Sequence, residues 1–335
     1  MSGEKPRSSA SSVEIPSENE ILSEAWAFLE QQAAPRPTSG RVYHYTSFEG
    51  LQAIDSSKLL HATGIRQLND SSEFFHGFDL ALSEAVVRSN DPSDPGIANL
   101  WSQYVSIHLL PPLGPRTRSV LAMRATDCFV TCFSEDDNSL SQWRAYCPDG
   151  GAAIGFNIQD ILDTSAPATA TRTQSGVRIS PLFARCEYVE AAQKQVVSQL
   201  MAATEREFLA QCRSRDVNAA ILRPGTDASW YIVVASHARF NSSLSAISPL
   251  LKHSAFKDEC EWRLVVSQRD GMQFRSGRRG IASYICLPLP PIGQLTIGPC
   301  PDPGGTTNTV AAMFPGHRSN IGPFRTAYCN IPYRG

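Results

Sequence analysis

The chain has 335 residues, of which 30 are Lys or Arg and 32 are Asp or Glu, so its formal net charge is −2. Hydrophobic residues make up 42% and charged residues 19% of the chain, which is too apolar and too weakly charged for a wholly disordered protein. The near-neutral balance excludes a protein whose whole surface binds nucleic acid. The length allows one large domain with tails or about two domains.

The first segment of the chain, residues 1–20, is polar and Ser-rich, and we expect a disordered tail there. It contains no apolar core of a signal peptide, and no apolar run in the chain approaches the roughly 18 residues of a membrane span. The nine Cys are scattered without a CxxC pair, which is typical of reduced thiols inside the cell. We therefore predict a cytoplasmic protein with no membrane partner.

Apolar spacing and capping residues predict the elements in chain order. Helices are expected at 21–32, 47–54, 70–86, 138–146, 190–213 and 227–251. Strands are expected at 42–45, 128–133, 152–156, 185–189, 261–267, 283–287, 294–297 and 327–331. The strands are scattered among helices without regular βαβ alternation. The pattern predicts a single α+β domain over 21–335, with an N-terminal helix and a mixed or antiparallel sheet.

Several common enzyme motifs are missing. The sequence has no GxxxxGKS or GxxxxGKT loop, no GxGxxG after a strand, no HExxH, no GxSxG and no kinase signature. Seven His are present, and none is paired with Cys, Asp or Glu at a spacing typical of zinc sites. These absences disfavour Rossmann oxidoreductases, and we expect no metal cofactor.

Three segments join strand-forming residues to polar side chains. His44 lies at the end of the first predicted strand, and Ser134 follows a buried strand. Glu259, Glu261 and Arg263 are spaced two residues apart in a third segment. On a strand these three side chains would share one face, so two carboxylates would address one point.

These segments carry the motifs HYT, LND, CFSE, SQWRAY, ExEWR, IGP and IPYR. The motifs lie at 44–46, 68–70, 132–135, 141–146, 259–263, 297–299 and 331–334. The set resembles a bacterial domain family of unknown function, and the resemblance spans 40–335. That family in turn resembles the ADP-ribosyltransferase-like superfamily. Residues 44–54 are similar to the first NAD-binding strand and helix of DNA-targeting ADP-ribosyltransferase toxins and poly(ADP-ribose) polymerases.

The resemblance implies a split mixed β-sheet of the ADP-ribosyltransferase-like type with helical insertions. NAD would bind in the cleft of this sheet without a glycine-rich loop. The order His44, Ser134, Glu261 fits the catalytic triad of the superfamily. It combines the histidine type of first strand with the ExE of the arginine type, so the middle position stays open, and Tyr146 is an alternative stacking residue.

The resemblance also implies how these residues act on NAD, which would be the substrate. Breaking the nicotinamide–ribose bond builds positive charge on the anomeric carbon, and Glu261 would stabilise that charge and orient the acceptor. His44 would donate a hydrogen bond to a ribose hydroxyl or to the nicotinamide amide. The other residues expected to contact NAD are Tyr45, Thr46, Trp143, Tyr146 and Glu259, together with Arg66 and Arg144 at the pyrophosphate.

The function expected from this resemblance is ADP-ribosyl transfer to a protein or nucleic-acid acceptor, in a toxin, effector or phage-defence protein. One alternative on the same scaffold is an NAD glycohydrolase or a nucleotide or 2′-phosphate transferase. Another is a non-catalytic module that binds a nucleotide or a partner protein. The last alternative predicts that Glu261 lies apart from His44, or that an ion pair with Arg263 occupies it.

Some of these residues also have purely structural interpretations. Ser134 is equally suited to forming a turn, and Trp143 to packing in a core. The basic loop at 274–279 is either solvated or faces phosphates or a nucleic-acid acceptor.

Overall fold

The structure is a computed structural model of the chain. It describes residues 25, 27, 29, 40–68, 73–109, 128–168, 181–223, 230–267, 271–277, 280–314 and 325–329. The tail predicted at 1–20, the helix cap predicted at Asp70 and the IPYR motif at 331–334 lie outside the described residues. Ala25, Ala27 and Leu29 are helical, which agrees with the N-terminal helix expected there.

The strands of the described part are numbered in chain order. They are β1 (Arg41–Ser47), β2 (Leu59–Gly64), β3 (Cys128–Ser134), β4 (Gly151–Asn157), β5 (Leu182–Arg185), β6 (Glu261–Ser267), β7 (Gln273–Gly277), β8 (Gly280–Pro288), β9 (Ile292–Ile297) and β10 (Arg325–Tyr328). The α-helices after residue 40 are α1 (Phe48–Ser57), α2 (Glu73–Ser89), α3 (Pro95–Leu109), α4 (Leu140–Tyr146), α5 (Ile158–Ala168), α6 (Glu190–Ser214), α7 (Tyr231–Ile247) and α8 (Pro303–Met313).

All described strands belong to one open sheet. Its main path runs β10-β9-β4-β1-β3-β2-β8-β7, while β6 pairs with β3 and β5 pairs with β6. The pair of β10 and β9 is parallel, and the other pairs are antiparallel. The predicted α+β class with a mixed sheet is therefore confirmed.

The sheet divides at β3. β6 pairs with β3 along the whole length of β3, so β1 and β2 must share the opposite edge. β1 reaches the end of that edge, where Tyr43 is opposite Ser134, and β2 reaches its beginning, where Gly64 is opposite Phe129. Residues 131–133 of β3 pair with neither of these two strands. β1 and β2 thus diverge and leave a split between them.

Both faces of β3 are buried. Cys128 and Val130 pack with Val265 of β6 against a layer of helices formed by α2, α3, α6 and α7. Phe129 and Phe133 point to the opposite face, where α5 and α8 cover the sheet with part of α1. Burial on both faces explains why β3 appears in the sequence as a nearly continuous apolar run.

Most predicted elements are confirmed with shifted ends. The strand expected at 185–189 lies at Leu182–Arg185, and the strand expected at 327–331 lies at Arg325–Tyr328. Ser139, rather than the expected Asn138, is the N-cap residue of α4. The helix expected at 227–251 ends at Ile247 and continues as a 3₁₀ turn that contains Pro249, which has no N–H to extend an α-helix.

The sequence analysis missed β2, α3, α5, β7 and α8. β2 follows α1 after a single residue, Lys58, which takes a left-handed conformation at the C-cap. α8 contains two Gly and three Thr, so its local propensity for helix is low. Among the described helices, none is both long enough and apolar enough to cross a membrane.

Candidate functional site

The split between β1 and β2 opens into a cavity of about 590 Å³. Its walls come from β1, α1, β2, the turn that follows β2, β3, the last residue of α4, and Arg275 of β7. Cavities of about 300–1,000 Å³ are typical of small-molecule sites. The cavity lies where the missing β1–β3 and β2–β3 pairing would otherwise have closed the sheet.

His44 projects from β1 into this split. Its Nδ1 lies 2.9 Å from the carbonyl oxygen of Cys132, which can only accept, so Nδ1 carries the proton. Burial lowers the pKa of His44, and the imidazole is neutral at pH 7. Nε2 is then a hydrogen-bond acceptor. In this state His44 presents an acceptor to the cavity, whereas the sequence analysis expected a donor.

Tyr45 and Trp143 pack together on the other face of β1. Their rings are 4.6 Å apart and edge to face, and both residues are buried. The Tyr45 hydroxyl donates to the carbonyl of Asp136 and accepts from the N–H of Ser139, at 2.7 and 3.0 Å. Tyr45 contributes to the cavity wall, but Trp143 does not reach the cavity. Trp143 is a core residue, as its structural interpretation predicted.

Thr46 and the start of α1 form the next part of the wall. Ser47 caps α1, because its Oγ accepts the N–H of Gly50 at 3.1 Å. A Cβ atom at Gly50 would lie 2.0 Å from Oγ1 of Thr46, so a glycine is needed for Thr46 to keep this rotamer. Both Thr46 and Gly50 line the cavity.

Glu259 and Glu261 converge on one atom, as the sequence predicted, but that atom belongs to the protein itself. Nζ of Lys252 lies 2.6 Å from an oxygen of each carboxylate. The expected geometry was wrong: Glu259 ends a 3₁₀ turn and does not lie on β6. Cys260 between them has φ 44°, in the left-handed region, so the two residues do not share a strand face.

The carboxylate of Glu261 contacts two positively charged side chains. Its Oε2 accepts from Nζ of Lys252 at 2.6 Å and from a terminal nitrogen of Arg263 at 2.8 Å. The side chains of all three residues are at least 96% buried. Burial by itself would raise the pKa of Glu261, but the two cations outweigh it and lower the pKa to about 2.

Glu261 lies one layer of side chains behind the large cavity. A second cavity of about 30 Å³ is lined by Glu261 together with His44, Tyr45, Cys132 and Tyr146, and these four also line the large cavity. Tyr146 is 37% exposed, but the desolvation of its hydroxyl group beside this space raises its pKa, with further contributions from Cys132 and Glu261. The structure therefore brings His44, Tyr146 and Glu261 together around one narrow space.

The other predicted site residues lie elsewhere. Ser134 is 1% exposed, donates to the carbonyl of Glu259 at 3.0 Å and accepts from the N–H of Asp136 at 3.3 Å, so it forms a turn and lines neither cavity. Arg66 and Arg144 are exposed, and neither lines the cavity. Among the described residues, the arginine that lines the cavity is Arg275, which belongs to the basic loop noted in the sequence.

In the part of the chain that the structure describes, no group of three or more His, Cys, Asp or Glu side chains is arranged to hold a metal ion. In the described part of the chain, the candidate site thus consists of the imidazoles of His44 and His61, hydroxyl groups, the arginine Arg275 and the buried carboxylate of Glu261.

The fold and site define an α+β protein with a ligand-sized cavity at the split of a mixed sheet. Residues 142–264 match a family described as protein of unknown function (DUF2971). The matched part begins in α4 and ends in β6, so it includes Glu261 and Tyr146 but not His44. No curated protein and no solved structure matches the chain.

Proposed function

We propose that this protein binds NAD in the cavity at the split of the sheet and transfers ADP-ribose from it to a protein or nucleic-acid acceptor. The observation that carries the proposal is the position of residues 44–46. The segment that resembles an NAD-binding first strand is also the segment that lines the 590 Å³ cavity. A lining of hydroxyl groups, imidazole and apolar side chains suits a ribose and a flat aromatic ring.

In this proposal His44 and Glu261 act on the nicotinamide ribose. A ribose hydroxyl donates to Nε2 of His44. Glu261 stays ionised, and its negative charge stabilises the positive charge that builds on the anomeric carbon as nicotinamide leaves. Lys252 and Arg263 hold the carboxylate in place, so little reorganisation is required during the reaction. Tyr146 lies between Glu261 and the large cavity and moves aside when NAD enters.

A non-catalytic nucleotide-binding domain is the second candidate. It is favoured by the ion pairs of Glu261 with Lys252 and Arg263, which reduce the effective negative charge that the carboxylate presents to a ligand. In this case NAD, or a nucleotide like it, occupies the large cavity and the buried carboxylate has only a structural role.

Two measurements on the purified protein test the proposal: calorimetric titration with NAD, and nicotinamide release over time. Binding with release that is abolished in Glu261→Gln supports transfer, and labelled ADP-ribose on an acceptor separates transfer from hydrolysis, which yields free ADP-ribose. Binding without release supports the non-catalytic domain. Neither binding nor release in the folded protein overturns both.

The variant Glu190→Gln is the matched control. Its side chain is 68% exposed and forms a surface ion pair with Lys194 within α6. It removes the same charge as Glu261→Gln at an exposed position that lines neither cavity. Circular dichroism of both variants shows whether a loss of release reflects a loss of fold.

A further inference from the structure

The β2 side of the large cavity carries a positively charged group. Arg275 of β7 lies against β2, with one terminal nitrogen 3.3 Å from Nδ1 of His61 and the other 3.1 Å from Oγ1 of Thr63. All three residues line the cavity. Among the described residues that line it, Arg275 is the one with a permanent charge.

Arg275 is exposed to solvent, and its guanidinium group contacts aromatic side chains of the neighbouring strands. It lies over the ring of Tyr284 on β8, 5.5 Å from the ring centroid, and the ring of His61 packs against the same Tyr284 at 4.3 Å. Burial and the charge of Arg275 lower the pKa of His61, so His61 is neutral and its Nδ1 accepts from Arg275. The guanidinium group has five N–H donors, and these two contacts leave others for a ligand.

Charge is distributed unequally over the two walls of the split. On the β1 side Glu261 lies behind His44 and Tyr146, and Lys252 and Arg263 offset its charge, so this wall carries no net positive charge. On the β2 side Arg275 faces the cavity with His61 and Thr63. A dinucleotide fits this distribution, because its anionic pyrophosphate can lie at the positively charged β2 side. Guanidinium groups bind phosphate oxygens through paired hydrogen bonds.

We propose that Arg275, with His61 and Thr63, forms a phosphate-binding subsite that takes the pyrophosphate of a dinucleotide. This inference rests on the proposed function, since it assumes that the cavity binds a nucleotide, but it does not require the transfer step. It assigns to Arg275 the role that the sequence analysis expected of Arg66 and Arg144. It also orients the ligand, with the pyrophosphate at β2 and the nicotinamide ribose at β1.

The test compares three ligands by calorimetry: NAD, ADP-ribose and nicotinamide riboside, which has no phosphate. The variant is Arg275→Gln. The control is Arg213→Gln, which removes an exposed arginine near the end of α6. We expect Arg275→Gln to raise the Kd for NAD and for ADP-ribose by about tenfold or more. The Kd for nicotinamide riboside should stay within about twofold of the wild-type value. Arg213→Gln should leave the Kd values for all three ligands unchanged.

The proposed subsite is contradicted if wild type and Arg275→Gln bind NAD with equal affinity. It is also contradicted if the variant loses as much affinity for nicotinamide riboside as for NAD. Titration with inorganic pyrophosphate separates this result from a failure of the proposed function. If wild type binds pyrophosphate but not NAD, and Arg275→Gln loses that binding, the subsite stands and the function falls. If wild type binds neither, both fall. The thermal unfolding midpoint of each variant confirms that it is folded.

Discussion

Lys252 and Glu261 form a buried ion pair, with 2.6 Å between Nζ and Oε2 and both side chains at least 96% buried. Arg263 and Glu259 complete a cluster of two cations and two carboxylates, so its formal charge is zero. Desolvation of such a cluster is costly, and the cost is offset only while each charge keeps its partners. The cluster therefore links the stability of the fold to the carboxylate that we propose to be catalytic.

Glu261→Gln should lower the free energy of unfolding by about 3–5 kcal/mol, because Lys252 and Arg263 would then share a buried site with too little negative charge. Urea unfolding measures this change. The control Glu190→Gln on the surface of α6 should stay within about 0.5 kcal/mol of wild type. Equal stabilities of the two variants would contradict the structural role of the cluster.

His237 should make the protein less stable as the pH falls from 6.5 to 4. Its side chain is buried beside Trp101 and Tyr104, Nε2 donates to the carbonyl of Leu100 at 3.0 Å, and burial lowers its pKa to about 4. The unfolded chain, with a His pKa near 6.5, binds the proton first. The stabilisation is therefore complete above pH 6.5 and is lost as the pH falls through 4.

The size of the His237 effect is about 3 kcal/mol, from a pKa difference of about 2.5. Urea unfolding of wild type and His237→Gln at a series of pH values measures it. The variant should have a flatter profile between pH 6.5 and 4, whatever its stability at pH 7. His44, whose pKa is also lowered, leaves part of the slope in place. A variant profile as steep as that of wild type would be evidence against this assignment.

Cys260 should tolerate glycine better than a β-branched residue. It has φ 44° and ψ 49°, a left-handed conformation that costs an L-residue about 1–2 kcal/mol. Cys260→Gly removes this strain, and its free energy of unfolding should lie within about 1 kcal/mol of the wild-type value. Cys260→Val should be less stable than Cys260→Gly by about 1–2 kcal/mol. The reverse order in urea unfolding would mean that this turn is not left-handed.

His44→Ala should weaken NAD binding without unfolding the protein. The change removes the Nε2 acceptor and leaves the carbonyl of Cys132 open to water in the cavity. We expect a loss of about 1–2 kcal/mol in binding free energy, which is roughly 5- to 30-fold in Kd. His108→Ala in the helical layer is the control, because His108 packs on Tyr104 and lines neither cavity. Identical Kd values for the two variants would contradict a role of His44 in NAD binding.

The strands that the sequence predicted best are those whose residues form a continuous apolar run or alternate between apolar and polar. β3 and β6 have continuous apolar or alternating runs because they are buried in the middle of the sheet, and β1 alternates between the core and the split. β7 was missed because its side chains are exposed, as with Phe274 at 63%, so nothing in its pattern requires a sheet. β2 was hidden by the helix α1, which ends one residue before it.

The sequence predicted some residues of the candidate site, but it did not predict which side chains they contact. His44 and Glu261 were recognised, and the structure brings them to one small cavity. Lys252 had no signal in the sequence, since it meets Glu261 through a 3₁₀ turn and a left-handed residue that no periodicity describes. Arg66 and Arg144 have the right chemistry, but the turn and helix that carry them point them to solvent.

The sequence by itself determined the α+β class, the positions of most strands along the chain and the candidate residues His44 and Glu261. These features follow from local periodicity and side-chain chemistry, which neighbouring residues are enough to reveal. Only the tertiary structure decided that β1 and β2 diverge over β3, that Lys252 joins Arg263 at Glu261, and that Arg275 lines the cavity. The divergence of β1 and β2 and the place of Arg275 depend on contacts between segments far apart in the chain. The cluster at Glu261 is local, but it depends on a 3₁₀ turn and a left-handed residue that side-chain periodicity does not describe.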